Sequence, residues 1–121
     1  MNIIKKTIAA IVIAAASMPT QAEFVTGNQL ANDLRERAKY ETGNGGLTYG
    51  AISSSGFISG VADFANDGKH VCFPEATTSG QVNAVVTKYV LDNPQDWNES
   101  AVDLVYMAIR EAFPCKKKGA K

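Results

Sequence analysis

The chain is poor in the side chains that carry chemistry. It holds one histidine, His70, one tryptophan, Trp97, and two cysteines, Cys72 and Cys115, in 121 residues. A single histidine excludes a metal site built on a histidine pair, and a Cys–His nucleophile would need a cysteine not consumed elsewhere. The formal net charge is zero, so no basic excess points to nucleic acid. The "GNGG" stretch lacks both a lysine and a preceding strand, so it makes no phosphate cradle. "DFANDG" lacks the alternating donors and closing glutamate of a calcium loop. No catalytic, metal-ligating or cofactor-binding residue is assigned, and none of these features makes the chain an enzyme. It reads as a protein that binds.

The N-terminus has the three parts of a secretory signal. Lys5 and Lys6 precede an apolar run from Thr7 to Met18, and the small residues Thr20 and Ala22 prepare cleavage before Glu23. That run falls short of the roughly 20 residues that span a bilayer as a helix. The expected organisation is a cleaved signal at 1–22, one helical domain at 23–115 and a basic flexible tail at 116–121. An uncleaved anchor is the rival reading. Export places the mature chain in the periplasm, free of the membrane after cleavage.

An oxidising compartment turns two cysteines in a small chain into one expected disulfide, Cys72–Cys115. It would close a loop of about 44 residues, worth roughly 4 kcal/mol on the chain-entropy model. Two free buried thiols are the alternative. The zero charge also conceals an asymmetry. Between Glu23 and Cys115 there are six basic and twelve acidic residues, a net of about −6, because the lysines concentrate at the two ends. Such a body suits a cationic protein partner, and it suits plain solubility equally.

The expected fold is all-α, a small four-helix domain with one disulfide closing the last helix hairpin. In "TGNQLANDLRERAKYE", Leu30, Leu34 and Ala38 share a face, Thr26 or Asn28 serves as N-cap, and Asp33 is spaced to pair with Arg37. A second helix is read over Leu47–Ala65, with Gly68 as its C′ residue. There Gly56 and Gly60 share a face and suggest tight helix packing. The third opens on a Thr78/Gln81 capping box, continues through Val82, Val85, Val86, Tyr89 and Val90, and stops at Pro94. The fourth takes Asn98 as N-cap, with Trp97 and Val102 at hydrophobic-staple spacing. Its stripe is Ala101, Leu104, Val105, Ala108, Ile109 and Ala112. An antiparallel hairpin of the last two helices would bring Cys72 and Cys115 to one pole, with Phe73 and Phe113 beneath the bridge.

The opposite pole of that hairpin exposes "LDNPQDWNE". Asp92, Gln95, Asp96 and Trp97 there form the candidate partner-binding surface, an aromatic flanked by acids. Trp97 as a mere staple of the fourth helix is the competing reading. Tyr40 and Tyr49, flanking a glycine-rich loop, form a second candidate surface.

Read in order, "GFISGVADF", "VCFPEATTSGQVNAVVTKYVLDNPQ" and "SAVDLVYMAIREAFPC" resemble the Rap/Tai family of periplasmic immunity proteins. The resemblance implies a small helical periplasmic protein, often a homodimer. It would protect a bacterium from a peptidoglycan amidase delivered by type VI secretion, by occluding that effector's active site. Many relatives carry a further cysteine near the end of the first helix, where this chain has Arg37-Ala38-Lys39. Two alternatives stay open. One is a small disulfide-bonded envelope or acid-stress chaperone; the other is a phage- or plasmid-encoded envelope factor of the same fold with another target.

Overall fold

The computed structural model describes residues 24–116, and the signal segment and most of the lysine tail lie outside them. Four helices form: α1 (Gly27–Glu41), α2 (Tyr49–Ala65), α3 (Ser79–Asp92) and α4 (Ala101–Ala112), with a 3-10 turn at Pro94–Asp96 between the last two. No strand forms among the described residues; two isolated bridges, Thr26–Ser100 and Val71–Pro114, tie loops together. Every helix packs on the other three.

Each helix begins where a hydroxyl can take an orphan amide. Thr26, Thr48, Thr78 and Ser100 accept from the amides of Gln29, Ala51, Gln81 and Asp103, all at 3.1–3.2 Å. At α3 the capping box is complete, because Gln81 Oε1 accepts the Thr78 amide at 2.8 Å. α1 ends where Gly43 takes φ 74°, a left-handed conformation that glycine adopts without a Cβ clash.

One core joins the four helices. α1 buries Leu30, Ala31 and Leu34; α2 buries Ala51, Ser54, Ile58, Ala62 and Ala65. α3 adds Val82, Val86 and Val90, and α4 adds Ala101, Leu104, Val105, Ala108 and Ile109. The apolar periods read for α1, α3 and α4 largely recur here, except that Ala112, at the end of α4, is exposed, and the small residues of α2 let its neighbours approach. Of the two buried polar side chains, Ser54 donates to the Ala51 carbonyl. Asn83 accepts from Arg37 Nη1 at 3.0 Å and donates to the Ser79 carbonyl at 2.9 Å. Among the described residues no buried side-chain donor or acceptor lacks a partner.

The expected bridge is present. Cys72 and Cys115 are joined with Cα atoms 4.9 Å apart, across 43 residues of sequence. The Cys72 amide donates to the Phe113 carbonyl at 3.0 Å, and the Phe73 and Phe113 rings meet edge to face at 4.9 Å. The link before α3 and the end of α4 are therefore fixed to each other covalently, by hydrogen bonding and by packing.

Several local expectations give way. α4 starts from Ser100 rather than Asn98, because Ser100 is drawn into the bridge with Thr26. The Trp97–Val102 staple is lost with that register, and Val102 is half exposed. Leu47 lies outside α2 and faces solvent. Gly68 adopts φ 67° two residues beyond the Asn66 C-cap, inside a turn organised by Asp67 rather than at the C′ position. Asp33 does not pair with Arg37, which bonds Glu41 and Asn83 instead. Asp33 packs on Gly50, and burial first, then Glu36, pushes its carboxyl above the usual range.

Gly56 and Gly60 are not points of close approach within the chain, since a Cβ on either would meet nothing within 4 Å. Gly50 is crowded only by the Asp33 side chain, whereas the glycine closest to another stretch of backbone is Gly27. Its amide donates to the Glu99 carbonyl at 3.0 Å, while the Ala101 amide donates to the Val25 carbonyl at 3.2 Å. A Cβ on Gly27 would collide with the carbonyls of Glu99 and Trp97. Gly27→Ala should therefore destabilise the fold, although alanine is normally favoured over glycine in a helix by about 1 kcal/mol. Gly56→Ala, in open space, should stabilise it by up to that amount. Urea unfolding of the two variants checks these opposite signs.

Candidate functional site

The turn that follows α3 is built to satisfy the end of that helix. The last carbonyls of a helix have no partner within it. Here Asn93 Nδ2 donates to the Tyr89 carbonyl at 2.7 Å, and the Trp97 indole N–H donates to the Val90 carbonyl at 2.7 Å. Pro94 fixes the first residue of the 3-10 turn, and the amides of Asp96, Trp97 and Glu99 close successive bonds to Asn93, Pro94 and Asp96. Gln95 Nε2 donates to Asn93 Oδ1 at 3.0 Å. The segment is consequently a folded corner.

Within that corner the four candidate residues occupy different situations. Asp92 and Gln95 are exposed, whereas Asp96 and Trp97 are half-buried. Trp97 packs on the core, with the Arg35 guanidinium of α1 over its ring at 4.8 Å. The freely exposed aromatic expected from the sequence is thus an anchored one, holding α1, the end of α3 and the turn together. Asp92 pairs with Lys88 one helical turn away, a solvent-facing pair of small energetic weight.

Beside the corner runs a groove of about 320 Å³ between α3 and α4, lined by Val85, Lys88, Tyr89, Asp92, Asn93, Ala108, Glu111 and Ala112. Its floor is aliphatic, and its lining carries two carboxylates, Asp92 and Glu111, with Lys88 paired to Asp92. Burial first, then the charges of Asp96 and Glu111, push the Tyr89 hydroxyl pKa up. An aliphatic floor under carboxylates fits a lysine or arginine side chain, which buries its stem and presents its charge. Nothing in the local sequence marks Glu111 and Tyr89 as companions of Asp92. The signal for Glu111 was available only through the antiparallel pairing of the two helices, which brings it alongside the end of α3.

His70, at the disulfide pole, is exposed and bonds Asp67 through Nδ1 at 2.7 Å. Asp67 Oδ1 also accepts from the amides of Lys69, His70 and Val71. Among the described residues no group of three or more histidine, cysteine or acidic side chains is placed to hold a metal ion, and no helix is long and apolar enough to cross a membrane.

Fold and surface together define a class: a small helical module, closed by one disulfide, whose exposed chemistry is suited to gripping a partner. The chain belongs to the Rap1a immunity protein family, whose model matches residues 26–115, a span that takes in all four helices and both bridged cysteines. Membership gives it an immunity function against a toxin, and points to an inhibitor that works by binding rather than by catalysis. No curated protein and no solved structure matches the chain.

The Asp67 turn yields a pH prediction. The His70 side chain first, then the backbone amides, holds the Asp67 carboxyl far below the usual carboxylate range. A pKa lowered by folding stabilises fully above the unfolded value, about 4, and the contribution is lost as acid protonates the folded carboxylate. Asp67→Asn should lower the urea midpoint at neutral pH, and its gap to the unsubstituted protein should close well below pH of about 4.

Proposed function

We propose that this protein is a periplasmic immunity protein that binds a peptidoglycan amidase effector of a type VI secretion system and occludes its active site. The observation that carries the reading is the acidic, aliphatic-floored groove on the α3–α4 hairpin, in a chain whose family acts against toxins. A folded corner fixed by Asn93 and Trp97 lets the hairpin dock without ordering a loop, so little affinity is lost to entropy. The acidic body would steer a basic effector toward it. The signal-like N-terminus supports meeting that effector in the compartment where peptidoglycan lies.

In this reading Glu111, joined by Asp92 once Lys88 exchanges its solvent-facing pair for the partner's cation, grips a cationic side chain at the rim of the amidase cleft, Gln95 and Asp96 add polar contacts, and Trp97 positions the corner. Trp97→Ala is a poor test of contact, because it also removes core packing and the bond to Val90. Charge reversal on the exposed rim separates binding from folding. Asp92→Lys and Glu111→Lys should keep the dichroism of the unsubstituted protein while weakening inhibition of the cognate amidase at least tenfold, a loss of about 1.4 kcal/mol. Peptidoglycan hydrolysis with purified effector measures this. Full inhibition by both variants would remove the groove from the interface, and protection from a toxin that is not an amidase would remove the proposed target.

A further inference from the structure

The link between α1 and α2 contributes nothing to the core cluster or to the proposed groove. Thr42, Gly43, Asn44, Gly45 and Gly46 are all exposed. α1 ends there in a Schellman turn, in which the Gly43 amide donates to the Tyr40 carbonyl at 3.1 Å and the Asn44 amide to the Lys39 carbonyl at 2.8 Å. Past Asn44 that hold on the main chain stops. The Gly45 amide donates to no carbonyl among the described residues, and a Cβ on Gly46 would meet nothing within 4 Å. The Asn44 side chain makes one bond, from Nδ2 to Thr42 Oγ1 at 3.0 Å, on open surface.

We propose that Asn44 is a site of spontaneous covalent modification, in which the Gly45 amide nitrogen attacks the Asn44 side-chain carbonyl and converts the residue to aspartate and isoaspartate. Gly45 N bonds to Asn44 Cγ, the Cγ–Nδ2 bond breaks, and ammonia leaves with the proton that Gly45 N gives up. Water then opens the resulting five-membered imide at either carbonyl, which yields the two products. Asparagine is thermolabile by this kind of chemistry, and the structure restricts it to one place. Of the eight asparagines only Asn44 precedes glycine, whose missing Cβ leaves the attacking nitrogen uncrowded. Asn28, Asn32 and Asn83 lie within helices, and Asn93 precedes a proline, which has no N–H. After Asn66 and Asn98 the next amide is engaged, Asp67 with the Ala65 carbonyl at 2.8 Å and Glu99 with the Asp96 carbonyl at 2.9 Å. Asp67 also precedes a glycine, but its Oδ1 accepts three backbone amides and its Oδ2 meets His70, so the carboxylate is pinned as an anion that resists attack.

The product adds a carboxylate to the link between Tyr40 and Tyr49, and isoaspartate also lengthens its main chain by one methylene. The surface flanked by those tyrosines therefore ages, while the toxin groove, on other helices, does not. Neither reading depends on the other. The oxidised protein, held for days in warm neutral buffer and then digested, should yield an Asn44 peptide heavier by about 1 Da that separates into two chromatographic forms. Gly45→Ala should slow the conversion more than tenfold and Asn44→Gln should abolish it, both with unchanged far-UV dichroism. An Asn44 peptide that keeps its mass overturns the proposal, as does a rate indifferent to Gly45→Ala. Conversion at an equal pace at Asn66, Asn98 or Asp67 also overturns it, because the engaged amides and the pinned carboxylate would then protect nothing.

Discussion

The covalent tie between Cys72 and Cys115 is the constraint on which the rest of this small fold depends. A domain of this size buries a modest core, and chains near this length commonly rely on cross-links. The bond lies where it has most effect, between the approach to α3 and the exit from α4, so that two helices separated only by a turn are closed at both ends. Phe73 and Phe113 pack beside it, and the Cys72 amide bonds across the same junction. Reduction of the bond would leave the α4 terminus held by the Cys72–Phe113 backbone bond, the Val71–Pro114 bridge and the Phe73–Phe113 packing.

At the far pole the hairpin needs no covalent help. Asn93 and Trp97 occupy the open carbonyls of α3, Arg35 covers the indole, and Ser100 is held against Thr26. The same residues that end one helix and begin the next therefore also set the outline of the surface that carries Asp92, Gln95 and Asp96. Stability and recognition share this corner, and for that reason Trp97 serves the site by positioning it.

Much of this was legible in the sequence, because the signals were local. The apolar periods of α1, α3 and α4 and the Thr78/Gln81 box act within a few residues, and the structure contains them together with the expected cysteine bridge. The failures arose where a distant partner outbid a local one. Asn98 and Ser100 are both competent N-caps, and only the contact with Thr26 selects Ser100. Arg37 is well spaced from Asp33, yet the buried amide of Asn83 draws it away. The paired glycines of α2 suggested tight internal packing, while the real contact falls on Gly27, which has no periodic signature. Glu111 was invisible as a site residue because helix pairing, rather than spacing, sets it beside the groove.

The disulfide, more than the turn, keeps the hairpin rigid. Native-state hydrogen exchange on the oxidised and reduced protein addresses it most directly. Reduction should lower protection first and furthest in the last turn of α4 and the first turn of α3, while the amides around Asn93–Trp97 change least, with a global loss of up to about 4 kcal/mol. Identical exchange maps before and after reduction would contradict it.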